Sequence, residues 1–210
     1  ALSTDKAANP INLYGATKLA ADKLFVAGNA YAGNLDTRFS VVRYGNVMGS
    51  RGSVIPFFIK LKETGELPIT DPKMTRFMIS LEDGVKLVWY AFDNMYGGEI
   101  YVKKIPSMTI SDIAKAVSHS AKQKTIGIRP GEKIHEQMIG LEDAPHTYEY
   151  GDHYKILPAI YNWSSDSMRN KGGIKVAKDF IYSSDTNHEW MSIDELKEWV
   201  DANESKIGKI

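Results

Sequence analysis

The sequence contains no cysteine, and its formal net charge is zero. The missing cysteine excludes disulfides, thiolate zinc sites and cysteine nucleophiles. The balance of 26 basic and 26 acidic residues excludes a broad basic surface for nucleic acids and an acidic tail. No apolar run approaches the roughly 20 residues that a membrane-spanning helix needs. Because no signal-peptide pattern is present either, we expect a cytoplasmic protein with neither nucleic-acid nor membrane partners.

Two further signatures of chemistry are missing. The five histidines show no paired spacing typical of metal ligands, so no metal site is expected. No Gly-x-Gly-x-x-Gly fingerprint, which would hold a dinucleotide pyrophosphate at a helix N-terminus, follows a predicted strand. Gly45, Gly49 and Gly52 have the wrong spacing for it.

Helical and extended patterns alternate along the chain, which predicts an α/β fold with a parallel sheet. Helices are predicted over residues 11–31, 55–62, 81–94 and 110–118, and from the capping box at 192–195 to about 202. The β-branched and apolar residues 39–47, and also residues 98–102, are predicted as strands. We further predict a short helix over 133–139 and irregular surface structure over 143–190.

Tyr14 and Lys18 are four residues apart, so they share one face of the first predicted helix. A lysine ammonium close to a tyrosine hydroxyl favours the phenolate and lowers the pKa of that hydroxyl from about 10. Such a tyrosine can accept an alcohol proton during hydride transfer. About one pair with this spacing is expected by chance in a chain of this composition, so the pair alone is a weak signal. Thr4, Asp5 and Lys6 strengthen it, because they add three more proton-transfer groups just before the helix.

Several ordered motifs carry a resemblance to a known family. They are residues 3–7 (Ser-Thr-Asp-Lys-Ala), Asn9-Pro10, 14–18 (Tyr-Gly-Ala-Thr-Lys), 43–56, 74–77 (Met-Thr-Arg-Phe) and 127–133. Together they resemble the extended short-chain dehydrogenase/reductases in their sugar-nucleotide 4,6-dehydratase branch. Within that branch the resemblance is to the inverting UDP-N-acetylglucosamine 4,6-dehydratases, which begin pseudaminic acid synthesis. The retaining relatives usually carry Met at the position of Tyr14.

The resemblance implies a reaction, a cofactor and roles for the first motif. NADP would take hydride from C4 of the sugar, water would leave across C5 and C6, and hydride would return to C6. Tyr14 would take the O4 proton, Lys18 would hold the nicotinamide ribose, and Thr4 would hydrogen-bond near O4. Asp5 would protonate the departing C6 hydroxyl, and Lys6 would remove the C5 proton and contact the substrate. The cofactor would also contact residues further along, namely Val47, Met48, Gly49, Ser50 and Arg51.

Arginine is scarce, with six residues against 20 lysines, and four of the six lie in motifs rich in Gly or Pro. Because arginine binds planar oxyanions in a bidentate manner, Arg76 and Arg129 are candidates for the diphosphate of UDP-N-acetylglucosamine. The resemblance adds Glu132 for a ribose hydroxyl and Asn46 for the substrate. Arg43 lies inside a predicted strand and is expected to be structural. Structural ion pairs are the alternative role for Arg76 and Arg129.

The resemblance also implies a domain organisation. The chain would be the C-terminal part of a doubly wound Rossmann-like sheet with a smaller α/β substrate-binding lobe, and the N-terminal cofactor half, about 130 residues, would be missing. Residues 1–105 would belong to the NADP-binding domain, with a substrate-binding segment inserted at 51–80. Residues 106–210 would form the substrate-binding lobe and the C-terminal tail. The isolated chain is then expected to bind NADP poorly and to be inactive.

Alternative functions remain open at this point. They are a retaining UDP-sugar 4,6-dehydratase, a 4-epimerase of the same superfamily, and a catalytically incompetent sugar-nucleotide-binding fragment. Asp5 and Lys6 argue against a simple epimerase, which needs no acid and base for elimination. The full-length protein is expected to be a homo-oligomer, and Tyr148, Tyr150 and Tyr154 are a candidate oligomer surface.

Overall fold

The computed structural model describes residues 1–33, 35–159 and 168–209. Its strands are β1 (Leu2–Thr4), β2 (Val41–Tyr44), β3 (Asn46–Val47), β4 (Glu66–Ile69), β5 (Thr75–Ile79), β6 (Ile100–Lys103), β7 (Ser107–Thr109), β8 (Lys122–Thr125), β9 (Gln137–Ile139), β10 (Thr147–Glu149), β11 (His153–Ile156), β12 (Ile174–Lys175) and β13 (Tyr182–Ser183). Its α-helices are α1 (Leu13–Ala32), α2 (Val54–Leu61), α3 (Leu81–Asn94), α4 (Ile110–Val117) and α5 (Ile193–Asn203). A short 3-10 helix covers Asp5–Ala7. No helix within the described ranges is long and apolar enough to cross a membrane.

Side-chain caps determine where three of the helices begin. The Asn12 side chain accepts a hydrogen bond from the Gly15 amide at 2.8 Å, and α1 begins at the next residue, Leu13. Thr109 caps α4 in the same way. Ser192 and Glu195 form a reciprocal capping box before α5. Such caps satisfy backbone amides that have no partner within the helix, which is why the predicted boundaries of these helices lie close to the observed ones.

The described chain divides into two compact units whose segments interleave along the sequence. The first unit contains residues 1–45, 82–104 and 137–183, and the second contains 46–81, 105–136 and 184–210. This division differs from the predicted boundary at residue 105, because residues 137–183 belong with the first segment of the chain. The assignment of functions to residues 1–105 and 106–210 stays a prediction.

The first unit is built on a six-stranded sheet in the order β1-β2-β6-β11-β10-β12. β1, β2 and β6 are parallel, whereas β11, β10 and β12 extend the sheet with antiparallel pairings. The α/β prediction with a parallel sheet is confirmed. Arg43 in β2 is 2% exposed, and its guanidinium lies 3.1 Å from both Asp22 of α1 and Asp143. Its structural role was predicted from its place inside a strand.

The second unit packs α2, α4 and α5 around a core that also includes buried side chains of β4, β5 and β7. β3 and β5 are parallel, β7 is antiparallel to β5, and β4 pairs in parallel with β8. The most enclosed side chains of this core include Phe58, Leu67, Met108, Ile113 and Leu196. The unit therefore has its own hydrophobic core.

Two sequence predictions about the later part of the chain are wrong. Residues 133–139 do not form a helix, because 137–139 pair as β9 with β13. The described residues between 143 and 190 are not merely irregular, since β10, β11 and β12 add to the sheet of the first unit.

Tyr148 and Tyr154 are 6% and 7% exposed, so these two side chains do not offer the predicted oligomer surface.

Candidate active site

The predicted Thr4, Asp5 and Lys6 form one hydrogen-bonded cluster where β1 ends. A single carboxylate oxygen of Asp5 accepts from the Thr4 hydroxyl at 2.8 Å and from the Lys6 ammonium at 2.9 Å. The Asp5 side chain is fully buried, and its second oxygen has no hydrogen-bond partner among the described residues. The Lys6 side chain remains 32% exposed. The cluster therefore holds an acid and an amine in contact, with the amine open to solvent.

The start of α1 packs tightly against this cluster. A Cβ atom on Gly15 would overlap the carbonyl oxygen of Lys6 and would lie 2.9 Å from the Cβ of Pro10. Glycine is thus required at the position after Tyr14 if the helix is to approach the loop this closely. The cap from Asn12 to the Gly15 amide fixes the same turn. Tight packing and the cap together determine how the helix meets the loop of Thr4, Asp5 and Lys6.

Tyr14 and Lys18 lie one turn apart on α1, beside β1. Tyr14 is 53% exposed, and the Lys18 ammonium donates to the carbonyl of Leu2 at 3.2 Å. Tyr44, at the end of β2, lies close enough to Tyr14 to feel it electrostatically. Burial and, to a smaller extent, Tyr14 raise the pKa of Tyr44. The Tyr14 hydroxyl is accessible to a ligand, and these residues fit the predicted role beside a nicotinamide ribose.

The predicted cofactor loop, residues 47–51, lies in the second unit. Met48 is 4% exposed and packs in the core of that unit, so its side chain does not face a cofactor here. Gly49 has a positive φ of 70°, and a Cβ there would lie 2.9 Å from the ring of Trp199. Arg51 is exposed. The loop can therefore offer its backbone and the Arg51 side chain to a cofactor, but not Met48.

The predicted substrate residues converge on one cavity of about 280 Å³ in the second unit. Asn46, Arg76, Arg129 and Glu132 all line it. They come from β3, β5 and the turn after β8, and 86 residues separate the first from the last in the sequence. A larger cavity of about 350 Å³ in the first unit contains none of the predicted site residues and is lined mainly by apolar side chains. Because the predicted substrate residues line the smaller cavity, that cavity is the candidate substrate site.

Arg76 is held in the wall of this cavity by backbone carbonyls. Its guanidinium donates to the carbonyls of Thr75 at 2.7 Å, Ile134 at 3.1 Å and Lys133 at 3.0 Å. Its Nε lies 3.9 Å from a Glu136 carboxylate oxygen. A guanidinium has five N–H donors, so these three bonds leave one N–H on Nη2 and the Nε–H, which faces Glu136. The structural contacts hold the group rigidly without using all of its donors.

Unlike Arg76, Arg129 lies at the protein surface, where it forms an ion pair with Glu132. The Arg129 side chain is 63% exposed and its Nη1 lies 3.9 Å from Glu132. Exposed pairs at this distance contribute little stability, so the Arg129 side chain is easily redirected towards an anion. Arg76 thus provides a fixed cation, and Arg129 provides a movable one.

The sequence analysis missed a third feature of the cavity. Gly52, Ser53 and Val54, where α2 begins, line the same cavity, and no side chain of the described residues caps the helix there. The positive end of the helix dipole favours a bound anion. Pro56 in the first turn of α2 was the available signal. No group of three or more His, Cys, Asp or Glu residues suited to a metal ion occurs in the described part of the chain.

A family model described as polysaccharide biosynthesis protein matches residues 1–158. The chain belongs to this family. Among curated proteins, this polysaccharide biosynthesis family member is 57% identical over 212 residues to the inverting UDP-N-acetylglucosamine 4,6-dehydratase of Campylobacter jejuni subsp. jejuni serotype O:2. It is also 41% identical over 202 residues to the UDP-glucose 4-epimerase of Rickettsia canadensis. These matches include 97% and 94% of this chain, and the chain spans 63% and 59% of the lengths of the two relatives.

Solved structures place the family member in the same fold. Pen from Bacillus thuringiensis matches 97% of this chain and 62% of its own, with a TM-score of 0.83 and 31% identity. The NDP-hexosamine 5,6-dehydratase TunA matches 96% of this chain and 62% of its own, with a TM-score of 0.54 and 18% identity. The second likeness bears on the fold alone. The predicted α/β, Rossmann-like fold class is confirmed.

Proposed function

We propose that the full-length protein is an NADP-dependent UDP-N-acetylglucosamine 4,6-dehydratase, a hydro-lyase that inverts C5. The observation that carries this proposal is the contact between Asp5 and Lys6, 2.9 Å apart beside Thr4. Elimination of water needs an acid for the leaving hydroxyl and a base for the C5 proton, and a simple epimerase needs neither. The similarity to the Campylobacter jejuni dehydratase supports the same reaction.

The two side chains can supply both groups without an outside proton source. Transfer of one proton along the hydrogen bond from the Lys6 ammonium to the Asp5 carboxylate leaves a neutral amine and a neutral acid. Lys6 then accepts the C5 proton, and Asp5 donates its proton to the C6 oxygen, which departs as water. The starting charges are restored. Because Asp5 is fully buried, the loop has to open for its carboxyl group to reach the sugar.

Tyr14 is proposed to take the O4 proton, with Thr4 hydrogen-bonding near O4. Lys18 would move from the Leu2 carbonyl to the nicotinamide ribose, and the loop 47–51 would contact the cofactor. When bound, NADP would supply a hydride acceptor for oxidation at C4 and a hydride donor for C6. NADP rather than NAD, a cytoplasmic location, a homo-oligomer, and an early place in the synthesis of pseudaminic acid or a related surface glycan are parts of the same proposal.

The cavity of the second unit is proposed to hold the UDP part of the substrate. Arg76, Arg129 and the N-terminus of α2 all face one cavity and all favour a diphosphate. Glu132 would accept from a ribose hydroxyl, and Asn46 would contact the substrate. The positions of these groups support an anionic ligand independently of any relative.

The test is product analysis by ¹H NMR with the purified full-length protein, UDP-N-acetylglucosamine and NADP⁺ in D₂O. A 4-keto-6-deoxy sugar with inverted C5 and deuterium at C5 is expected. A retaining dehydratase would give the other C5 configuration. The 41% identity to a UDP-glucose 4-epimerase makes epimerisation the second candidate, for which a C4 epimer would form without loss of water.

Lys6→Ala should abolish dehydration, because it removes the base. The control is Lys23→Ala, an exposed lysine of α1, which should keep full turnover. Unchanged turnover in Lys6→Ala would refute the proposed role of Lys6.

A further inference from the structure

Three polar side chains that lie far apart in the sequence form a hydrogen-bond network behind Arg76. The Thr75 hydroxyl lies 2.8 Å from Nδ1 of His135 and 2.6 Å from the hydroxyl of Ser184. The Ser184 hydroxyl also accepts the backbone N–H of Glu136 at 2.9 Å. Thr75 is 4% exposed and Ser184 is fully buried. None of the three side chains lines the cavity.

This network fixes the segment 133–136, which also holds Arg76. On one side, the Arg76 guanidinium donates to the carbonyls of Lys133 and Ile134. On the other side, Ser184 bonds the amide and the carbonyl of Glu136, the latter at 2.8 Å through its own N–H. The same segment follows directly on the turn that carries Arg129 and Glu132. A shift of residues 133–136 would therefore move the anchors of Arg76 and the turn together.

The hydrogen bonds of this network can run in two directions, and every hydroxyl proton has an acceptor in only one of them. If neutral His135 carries its proton on Nε2, Nδ1 accepts from Thr75 and Ser184 donates to Thr75, so every proton has an acceptor. In the opposite direction His135 donates to Thr75 and Thr75 donates to Ser184. The buried Ser184 proton then has no acceptor within the network, which is unfavourable. The arrangement thus selects the Nε2–H tautomer of His135.

We propose that Thr75, His135 and Ser184 are positioning residues of the nucleotide site, which hold the Arg76 guanidinium and the 129–132 turn in place for a diphosphate. This inference rests on the proposed function of the cavity. It concerns the phosphate part of the ligand most, because Arg76 and Arg129 are both proposed to bind the diphosphate, whereas Glu132 alone is proposed to bind the ribose. Loss of the network should therefore weaken binding of a nucleoside diphosphate more than binding of the nucleoside.

The experiment measures the dissociation constants of UDP and of uridine by calorimetry with the purified full-length protein. Ser184→Ala, Thr75→Val and His135→Phe should each weaken UDP binding by about fivefold to tenfold, as expected for the loss of one buried hydrogen bond. Uridine binding, which keeps only the proposed Glu132 contact, should weaken by less than UDP binding. Thr75→Ser and His135→Asn should keep UDP affinity, because serine retains the hydroxyl and the asparagine oxygen can replace Nδ1 as an acceptor.

Exposed residues of the same unit provide matched controls, namely Ser205→Ala, Thr125→Val and His119→Phe, which should bind like the unchanged chain. NMR should show that Nδ1 of the His135 ring is unprotonated at neutral pH. The chemical shift of this nitrogen should change in Thr75→Val. Equal losses of UDP and uridine affinity would indicate a merely structural role and overturn the inference, as would unchanged UDP affinity in all three variants. Failure of the unchanged chain to bind UDP would instead overturn the proposed nucleotide site.

Discussion

At the scale of single residues, Gly15 has the clearest steric constraint. It directly follows Tyr14 in the first turn of α1. Because it has no side chain, α1 can approach the carbonyl of Lys6 closely. The helix that carries Tyr14 and Lys18 is thereby brought against the loop of Thr4, Asp5 and Lys6. A backbone carbonyl cannot move aside as a flexible side chain can. The distance between Tyr14 and the other proposed catalytic residues, Thr4, Asp5 and Lys6, therefore depends on this glycine.

Gly15→Ala should destabilise the protein by about 1–3 kcal/mol, because the new methyl group forces α1 away from the loop. It should also lower the turnover of the full-length protein more than its affinity for UDP, because the proposed UDP site lies in the other unit. Urea unfolding and steady-state kinetics measure the two effects. The matched control is Gly84→Ala in α3, where a Cβ meets nothing within 4 Å. That change should be neutral or stabilise by about 0.5–1 kcal/mol, and equal losses in both variants would contradict the steric explanation.

Residue types and spacing selected groups that the structure brings into contact or places around one cavity, but they did not predict how each group is held. Thr4, Asp5 and Lys6 are adjacent in sequence, so their contact follows almost from connectivity. Two of the three carbonyl partners of Arg76, those of Ile134 and Lys133, lie more than 50 residues away in the sequence. The Thr75–His135–Ser184 network has no local signal at all, because its members are 60 and 109 residues apart.

At the scale of elements, the C-terminal helix supports the proposed cofactor loop. The ring of Trp199 in α5 packs where a Cβ of Gly49 would be, and the Gly208 amide donates to the Gly49 carbonyl at 2.8 Å. Ile207 lies against the same glycine. The loop 47–51 is therefore supported by α5 and by the turn that follows this helix.

Trp199→Ala should weaken NADP binding by the full-length protein, because the loop loses its support, and should lower the free energy of unfolding by about 2 kcal/mol. Fluorescence titration with NADP and calorimetry with UDP measure the outcome, and UDP affinity should change much less. Trp190→Ala is the control, since Trp190 is 45% exposed and lies outside α5. An unchanged NADP affinity in Trp199→Ala would show that α5 does not support the loop.

Elements with strong local signals were predicted well, and elements formed by long-range pairing were not. α3 occupies the predicted range because its apolar periodicity is visible in the sequence alone. β9 was predicted as a helix, since Ile134, Met138 and Ile139 also fit a helical spacing. Its strand conformation comes from pairing with β13, more than 40 residues later. The β10–β11 pair was missed because its burial depends on joining β6.

At the scale of the whole molecule, stability should depend on pH through one buried histidine. His153 in β11 is 4% exposed, its ring stacks on Tyr150 at 4.7 Å, and its Nδ1 lies 2.8 Å from Asp152. Its Nε2 is buried and has no hydrogen-bond partner within residues 1–33, 35–159 and 168–209. Burial lowers the pKa of His153 below its ordinary value of 6.5, although Asp152 opposes this shift. A proton added to the folded protein at this site would be poorly solvated.

The direction of the effect follows from the protonation of His153 in the folded and in the unfolded protein. Well above pH 6.5 the imidazole is neutral in both states, so His153 does not contribute to the pH dependence of the free energy of unfolding. As the pH falls below 6.5, the unfolded chain binds a proton that the folded chain does not, so the free energy of unfolding decreases. One such proton gives a slope of at most about 1.4 kcal/mol per pH unit. The loss continues until the pH reaches the lowered pKa of the folded protein.

Urea unfolding between pH 7.5 and 5.5 should show this slope in the unchanged protein and a smaller one in His153→Phe, which keeps the aromatic stacking but cannot bind a proton. His188→Phe, at an exposed histidine, should keep the original slope. Because other groups titrate in the same range, the decisive quantity is the difference between the two variants. Parallel curves for His153→Phe and the unchanged protein would mean that the buried imidazole does not control the pH dependence, and the cause would then lie in other titrating groups.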